Sequence, residues 1–119
     1  MKEAKVVIIK YNAGNVYSVD YALKTLGINP LITDNPEIIR SAEKVIFPGQ
    51  GEASTTMNYL RERALDRLIG ELKQPVLGIC IGMQLMCSYS DEGDTEWLGI
   101  LDARVRRLTP TRPEDKVPQ

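Results

Sequence analysis

The sequence predicts a three-layer α/β domain built on a mostly parallel sheet, and three observations predict it. Short runs of β-branched residues alternate with longer amphipathic stretches along the chain. The short runs are apolar throughout, as in strands covered on both faces, rather than alternating in polarity. Unusual loops rich in glycine, proline or asparagine follow three of them, at Tyr11–Asn15, Pro48–Gly51 and Gly78–Gly82.

Lys5–Ile9 is the first expected strand, and Asn15–Leu26 the first helix, with Val16, Val19, Leu23 and Leu26 at helical spacing. Gly27 supplies the stop, because it accepts the left-handed backbone that ends many helices. Leu31–Thr33 is a second strand. Asn35-Pro36 opens a short helix over Glu37–Arg40, with proline suited to the first helical position. Val45–Phe47 is a third strand. A longer helical region follows, striped by Met57, Leu60, Ala64, Leu65, Leu68, Ile69 and Leu72, with a break near Arg63. Pro75–Ile79 is a fourth strand and Ile81–Tyr89 a further helix. Ser90–Glu96 reads as a polar loop, Gly99–Leu108 as a strand pair or hairpin, and the proline-rich Thr109–Gln119 as a loop. Right-handed crossovers place the ends of strands one, three and four on a common edge. Ligands of such folds bind in the crevice outside the carboxyl ends of the strands.

One domain, residues 1–119, is the expectation for 119 residues. Fifteen basic and 16 acidic side chains give a net charge of −1, which supplies no electrostatic reason to expect nucleic acid or an anionic membrane as partner. The apolar run ending at Ile9 is too short for a signal-peptide core or a membrane span. A soluble, cytoplasmic protein is expected. Cys80 and Cys87 lie within one apolar segment, which fits two reduced thiols better than a disulfide framework. The 119 residues contain no histidine.

The motif with chemical content is Gly78-Ile79-Cys80-Ile81-Gly82, a G-x-C-x-G placed between a strand and a helix. This is the nucleophile-elbow pattern with cysteine in place of serine. The turn is so sharp that the nucleophile is expected in a strained backbone, and side chains at 78 and 82 are expected to collide with it. The start of the following helix, with its partial positive charge and free N–H groups, favours a thiolate at Cys80. The N–H of Ile81 is expected to face a developing oxyanion, with a second donor from Gln50 or Gly51. A lone cysteine at a strand end is more often an inert packed thiol. The flanking glycines and the strand–helix context reverse that reading. Cys87, Met83, Leu85 and Met86 are read as packing.

Gly78-Ile79-Cys80-Ile81-Gly82-Met83-Gln84-Leu85-Met86 resembles the nucleophile motif of class I glutamine amidotransferases, and most of all that of the glutaminase subunits of imidazole glycerol phosphate synthase. Tyr11–Val19 and Val45–Gly51 resemble the first loop and helix and the oxyanion strand of the same family. The resemblance implies a flavodoxin-like three-layer domain. It also implies hydrolysis of glutamine to glutamate and ammonia, without cofactor or metal on this side, and delivery of the ammonia to a (β/α)₈-barrel cyclase subunit in histidine biosynthesis. By resemblance, Cys80 is the nucleophile. Gly49, Gln84 and Glu92 hold the substrate, with the Glu92 carboxylate apt for its α-ammonium group. Asn12 and Asn15 face the partner, although turn and helix-cap duty explains both equally well.

The family's general base is a histidine oriented by a glutamate two residues later. Neither matches a position here, so the chain is expected to be incomplete at the C-terminus and to turn over little or no glutamine. Two other readings compete. One is the glutaminase of anthranilate or aminodeoxychorismate synthase, against which Met83 argues. The other is an inactive flavodoxin-like module that only docks on a barrel.

Overall fold

The computed structural model describes residues 5–11, 16–49, 53–87, 89–90, 95–96, 98–101 and 104–105. Four strands, β1 (Val6–Ile9), β2 (Leu31–Thr33), β3 (Lys44–Phe47) and β4 (Val76–Gly78), form a parallel sheet in the order β2-β1-β3-β4. The register sets Val7 beside Leu31 and Val45, and Ile46 beside Leu77. All four strands lie within a residue or two of their expected spans.

The helices are α1 (Val16–Thr25), α2 (Pro36–Ser41), α3 (Ala53–Glu62), α4 (Leu65–Glu71) and α5 (Ile81–Leu85). Gly27 ends α1 with φ +81, while the N–H groups of Gly27 and Ile28 return to the carbonyls of Lys24 and Leu23. Those two bonds satisfy carbonyls that the helix end leaves open. Asn35 caps α2 by accepting from the N–H groups of Glu37 and Ile38, with Pro36 inside the first turn. Such a cap contributes about 1 kcal/mol. The expected break between α3 and α4 falls at Ala64, which adopts the left-handed region at φ 56.

Because side chains alternate across a strand, the sheet divides its apolar residues between two cores. Val7, Ile9, Val45 and Phe47 face one side and pack with Ile39 of α2, Met57 and Leu60 of α3, Leu65, Leu68 and Ile69 of α4, and Ile81 and Leu85 of α5. Val6, Ile8 and Ile46 face the other side and pack with Val16, Val19 and Leu23 of α1. The first core is the larger. Complete burial of one such side chain contributes roughly 1.5–3 kcal/mol.

Two expectations fail. The helix expected over Ile81–Tyr89 ends at Leu85, because residues 98–101 capture the carbonyls that would continue it. Leu98 donates to Leu85, Leu101 to Met86 and Gly99 to Cys87, at 2.9, 2.7 and 2.9 Å. The expected polar loop and hairpin are also redistributed. β5 (Tyr89–Ser90) pairs antiparallel with β6 (Thr95–Glu96) and parallel with β7 (Arg104–Val105), forming a second small sheet. Two-residue strands are too short to display a period-2 pattern. The expected loop at Thr109–Gln119 lies outside the described residues.

Candidate active site

Strands β1, β3 and β4 end side by side, and the chain leaving them converges: Tyr11 after β1, Pro48 and Gly49 after β3, and the elbow after β4. Their positions follow from the parallel register, which puts three carboxyl ends on one edge.

Cys80 is exposed and has φ 53 and ψ −120. These angles match the first central position of a type II′ turn, which normally takes glycine. The turn closes through the Gly82 N–H and the Ile79 carbonyl at 2.9 Å. A non-glycine residue held there costs on the order of 1–3 kcal/mol. The backbone strain expected at Cys80 is present.

The flanking glycines are required, but not for the expected reason. A Cβ on Gly82 meets the Phe47 carbonyl oxygen in severe overlap, then the Phe47 carbonyl carbon at 2.7 Å and the Pro48 oxygen at 2.9 Å. A Cβ on Gly78 meets Met83 Cα at 2.7 Å and Met83 N at 2.8 Å. The obstacles are the end of β3 and the backbone of α5, not the cysteine itself. Gly82 lets α5 start against β3, and Gly78 lets α5 fold back over β4.

Ile81 is buried, and its N–H donates to the Gly49 carbonyl at 3.2 Å. The sequence reading has this N–H free to face an oxyanion. In the structure it is engaged, because the Gly49 peptide presents its oxygen to it. Gly49 has φ +150, and a Cβ there overlaps the Tyr11 hydroxyl and lies 2.5 Å from Ile81 Cγ2. Gln84 is one helical turn beyond Cys80 and half-buried, and its N–H donates to the Cys80 carbonyl at 3.0 Å. The structure thus brings Cys80, Ile81, Gln84 and Gly49 together. Asn12, Asn15, Gln50, Gly51 and Glu92 lie outside the described residues. α5 has five residues, so its dipole extends over little more than one turn, and the support it gives to an anion is smaller than a long helix gives.

Cys87 is half-buried beyond the end of α5, its sulfur 4.0 Å from the Met83 carbonyl and packed against the larger core. It behaves as the packing residue expected. Among the described residues no group of three or more His, Cys, Asp or Glu side chains could hold a metal, and no helix is long and apolar enough to cross a membrane.

Tyr11 is the residue to which sequence reasoning gave no role. It is buried, its ring is tilted against Phe47 at a centroid distance of 5.1 Å, and its hydroxyl donates to the Pro48 carbonyl. An aromatic residue closing a β-branched strand just before an Asn-x-Gly loop was the available signal.

Comparison with known proteins gives a consistent picture. The family described as glutamine amidotransferase class-I matches residues 7–102. A protein of Bacteroides fragilis strain YCH46 named imidazole glycerol phosphate synthase subunit HisH is 60% identical over 114 residues, covering 96% of this chain and 58% of its own length. Proteins of the same name from Bacteroides thetaiotaomicron and Idiomarina loihiensis are 60% and 47% identical, over 96% and 87% of this chain. A crystal structure of a glutamine amidotransferase superposes with a TM-score of 0.74 at 25% identity, over 91% of this chain and 59% of that one. The chain therefore spans a little over half the length of the relatives it matches.

Proposed function

We propose, from the premise that this chain belongs to the class I glutamine amidotransferase family, that it forms the nucleophile-bearing part of the glutaminase subunit of an imidazole glycerol phosphate synthase. The reaction is hydrolysis of glutamine to glutamate and ammonia. The partner is a (β/α)₈-barrel cyclase subunit that takes up the ammonia in histidine biosynthesis, and the setting is a cytoplasmic heterodimer with lyase activity. The name shared by relatives up to 60% identical supports the subunit assignment.

The single observation that carries the chemistry is Cys80 itself: exposed, at φ 53, on a turn that only glycine at 78 and 82 lets close. Its thiolate attacks the side-chain amide carbon of glutamine and forms a tetrahedral intermediate. Loss of ammonia leaves a γ-glutamyl thioester, which water then hydrolyses. The developing oxyanion is received by the N–H of Ile81 and that of Gln50 or Gly51. For Ile81 to serve, the Gly49 carbonyl has to turn away from it first. Gly49, Gln84 and Glu92 hold the substrate, and Asn12 and Asn15 face the cyclase. The proton for the leaving ammonia and the activation of water call for a general acid–base. The 119 residues hold no histidine for that duty. These residues by themselves are expected to bind glutamine and present the thiol while showing little or no glutaminase turnover.

The test is protection. L-Glutamine, and not L-asparagine, is expected to slow alkylation of Cys80 by iodoacetamide while leaving Cys87 unaffected, read by peptide mass spectrometry. Equal protection of both cysteines, or none at either, contradicts the assignment.

A further inference from the structure

Resting on the reading of Cys80 as a glutaminase nucleophile, we propose that Tyr11 is a positioning residue, its hydroxyl anchoring the Pro48 carbonyl and so setting the orientation of the Gly49 peptide that covers the Ile81 N–H.

The geometry comes from three strand ends. Tyr11 leaves β1, and its ring is wedged against Phe47, the last residue of β3. Its O–H donates to the carbonyl of the next residue, Pro48. A core aromatic at this place needs no hydroxyl, and burying one without a partner costs free energy. Here the hydroxyl is spent on one carbonyl at the mouth of the loop. The same carbonyl lies close to Gly82, where an added Cβ would come within 2.9 Å of it. Gly49 is in turn held between Tyr11 and Ile81. A Cβ there overlaps the Tyr11 hydroxyl and lies 2.9 Å from the Tyr11 ring carbon bearing it.

Two consecutive carbonyls are therefore held by different donors. Pro48 is held by a side chain of β1, and Gly49 by the backbone N–H that follows the nucleophile. The two bonds have different consequences. The Gly49 carbonyl has to release Ile81 before an oxyanion can be bound there, whereas the Pro48 carbonyl can stay where it is. Fixing Pro48 confines the rotation to the Gly49 carbonyl. Burial, and after it the proximity of Cys80, push the Tyr11 hydroxyl well above the ordinary tyrosine range. Tyr11 therefore keeps its proton and its role as donor.

The experiment replaces only the hydroxyl. In Tyr11→Phe the ring still fills its place against Phe47, and the Pro48 carbonyl loses its donor. Hydrogen exchange at the Ile81 N–H is expected to accelerate about tenfold, the equivalent of one hydrogen bond, while exchange at Val7 and Ile46 in the sheet stays unchanged. Alkylation of Cys80 by iodoacetamide, which needs no oxyanion site, is expected to keep its rate. Labelling by a diazoketone analogue of glutamine, whose carbonyl oxygen must be received by the uncovered N–H, is expected to rise with the exchange rate, by up to about tenfold. Unchanged exchange at Ile81, exchange rising equally at Ile81 and the sheet, or loss of the fold in Tyr11→Phe each overturns the proposal. The last outcome would make the hydroxyl a general stability group. Failure of glutamine to protect Cys80 in the unsubstituted chain refutes the glutaminase reading instead, and leaves the exchange result to judge the anchor separately.

Discussion

Cys80 and Cys87 stand on either side of α5, and the chain treats them differently. Cys80 is exposed on a turn at φ 53. Cys87 is half-buried, with its sulfur toward the Met83 carbonyl and its surroundings continuous with the larger core. Among the described non-glycine residues only Ala64 and Cys80 have positive φ, so the strain is a property of the first site and not of the second. The difference shows what converts an ordinary thiol into a candidate nucleophile. It is not the residue type. It is a backbone bend that holds the sulfur out of the packing, maintained by two glycines whose missing side chains leave room for the bend.

The contrast between the two cysteines depends on those glycines. Gly82→Ala is expected to have the largest effect, because its Cβ meets main-chain atoms of β3 that cannot rotate away. A loss of about 3 kcal/mol, the upper end for overpacking, is expected in urea denaturation. Selective labelling of Cys80 is expected to disappear with it, leaving the two cysteines alike. Gly78→Ala is expected to cost less, about 2 kcal/mol. Its main-chain contacts with Met83 are at 2.7 and 2.8 Å, and its third neighbour is the flexible Met86 sulfur at 2.9 Å. A Gly82→Ala protein as stable as its parent would contradict the close approach of α5 to β3.

Substitutions of the cysteines themselves measure the backbone strain at each. Cys80→Gly is expected to be more stable than Cys80→Ala by about 1 kcal/mol, because only the alanine retains a Cβ in the strained region. Both remove the exposed thiol. At Cys87, where φ is not positive, the same pair is expected to order the other way, with glycine the less stable by a few tenths of a kcal/mol up to about 1. Thermal melts of the four variants measure the inversion. Cys87→Ala is expected to have the smallest effect, under about 1 kcal/mol, since it removes one partly buried sulfur.

Much of this was legible in the residues. Gly78 and Gly82 around Cys80 announced the bend, because a strand-to-helix elbow needs small residues at those places. The β-branched runs located all four strands of the parallel sheet, and the charge-flanked stripe from Met57 to Leu72 located α3 and α4 with their break. What stayed hidden depends on contacts distant in sequence. The bond between Tyr11 and Pro48 joins residues 37 positions apart. The end of α5 is decided by residues 98–101 taking its carbonyls, which no helix propensity records. The orientation of the Gly49 peptide is a rotation about two soft bonds, and glycine permits either sense. The sequence therefore displayed the donor at Ile81 but not that a carbonyl already occupies it.

Selective chemistry at Cys80 is read from the ratio of labelling at Cys80 and Cys87 by a diazoketone analogue of glutamine, set against the same ratio for iodoacetamide and measured by peptide mass spectrometry. The glutamine-shaped reagent is expected to modify Cys80 almost exclusively and to discriminate far more strongly than iodoacetamide does. Equal ratios for the two reagents, or modification of Cys87 by the analogue at a rate comparable to Cys80, would contradict it.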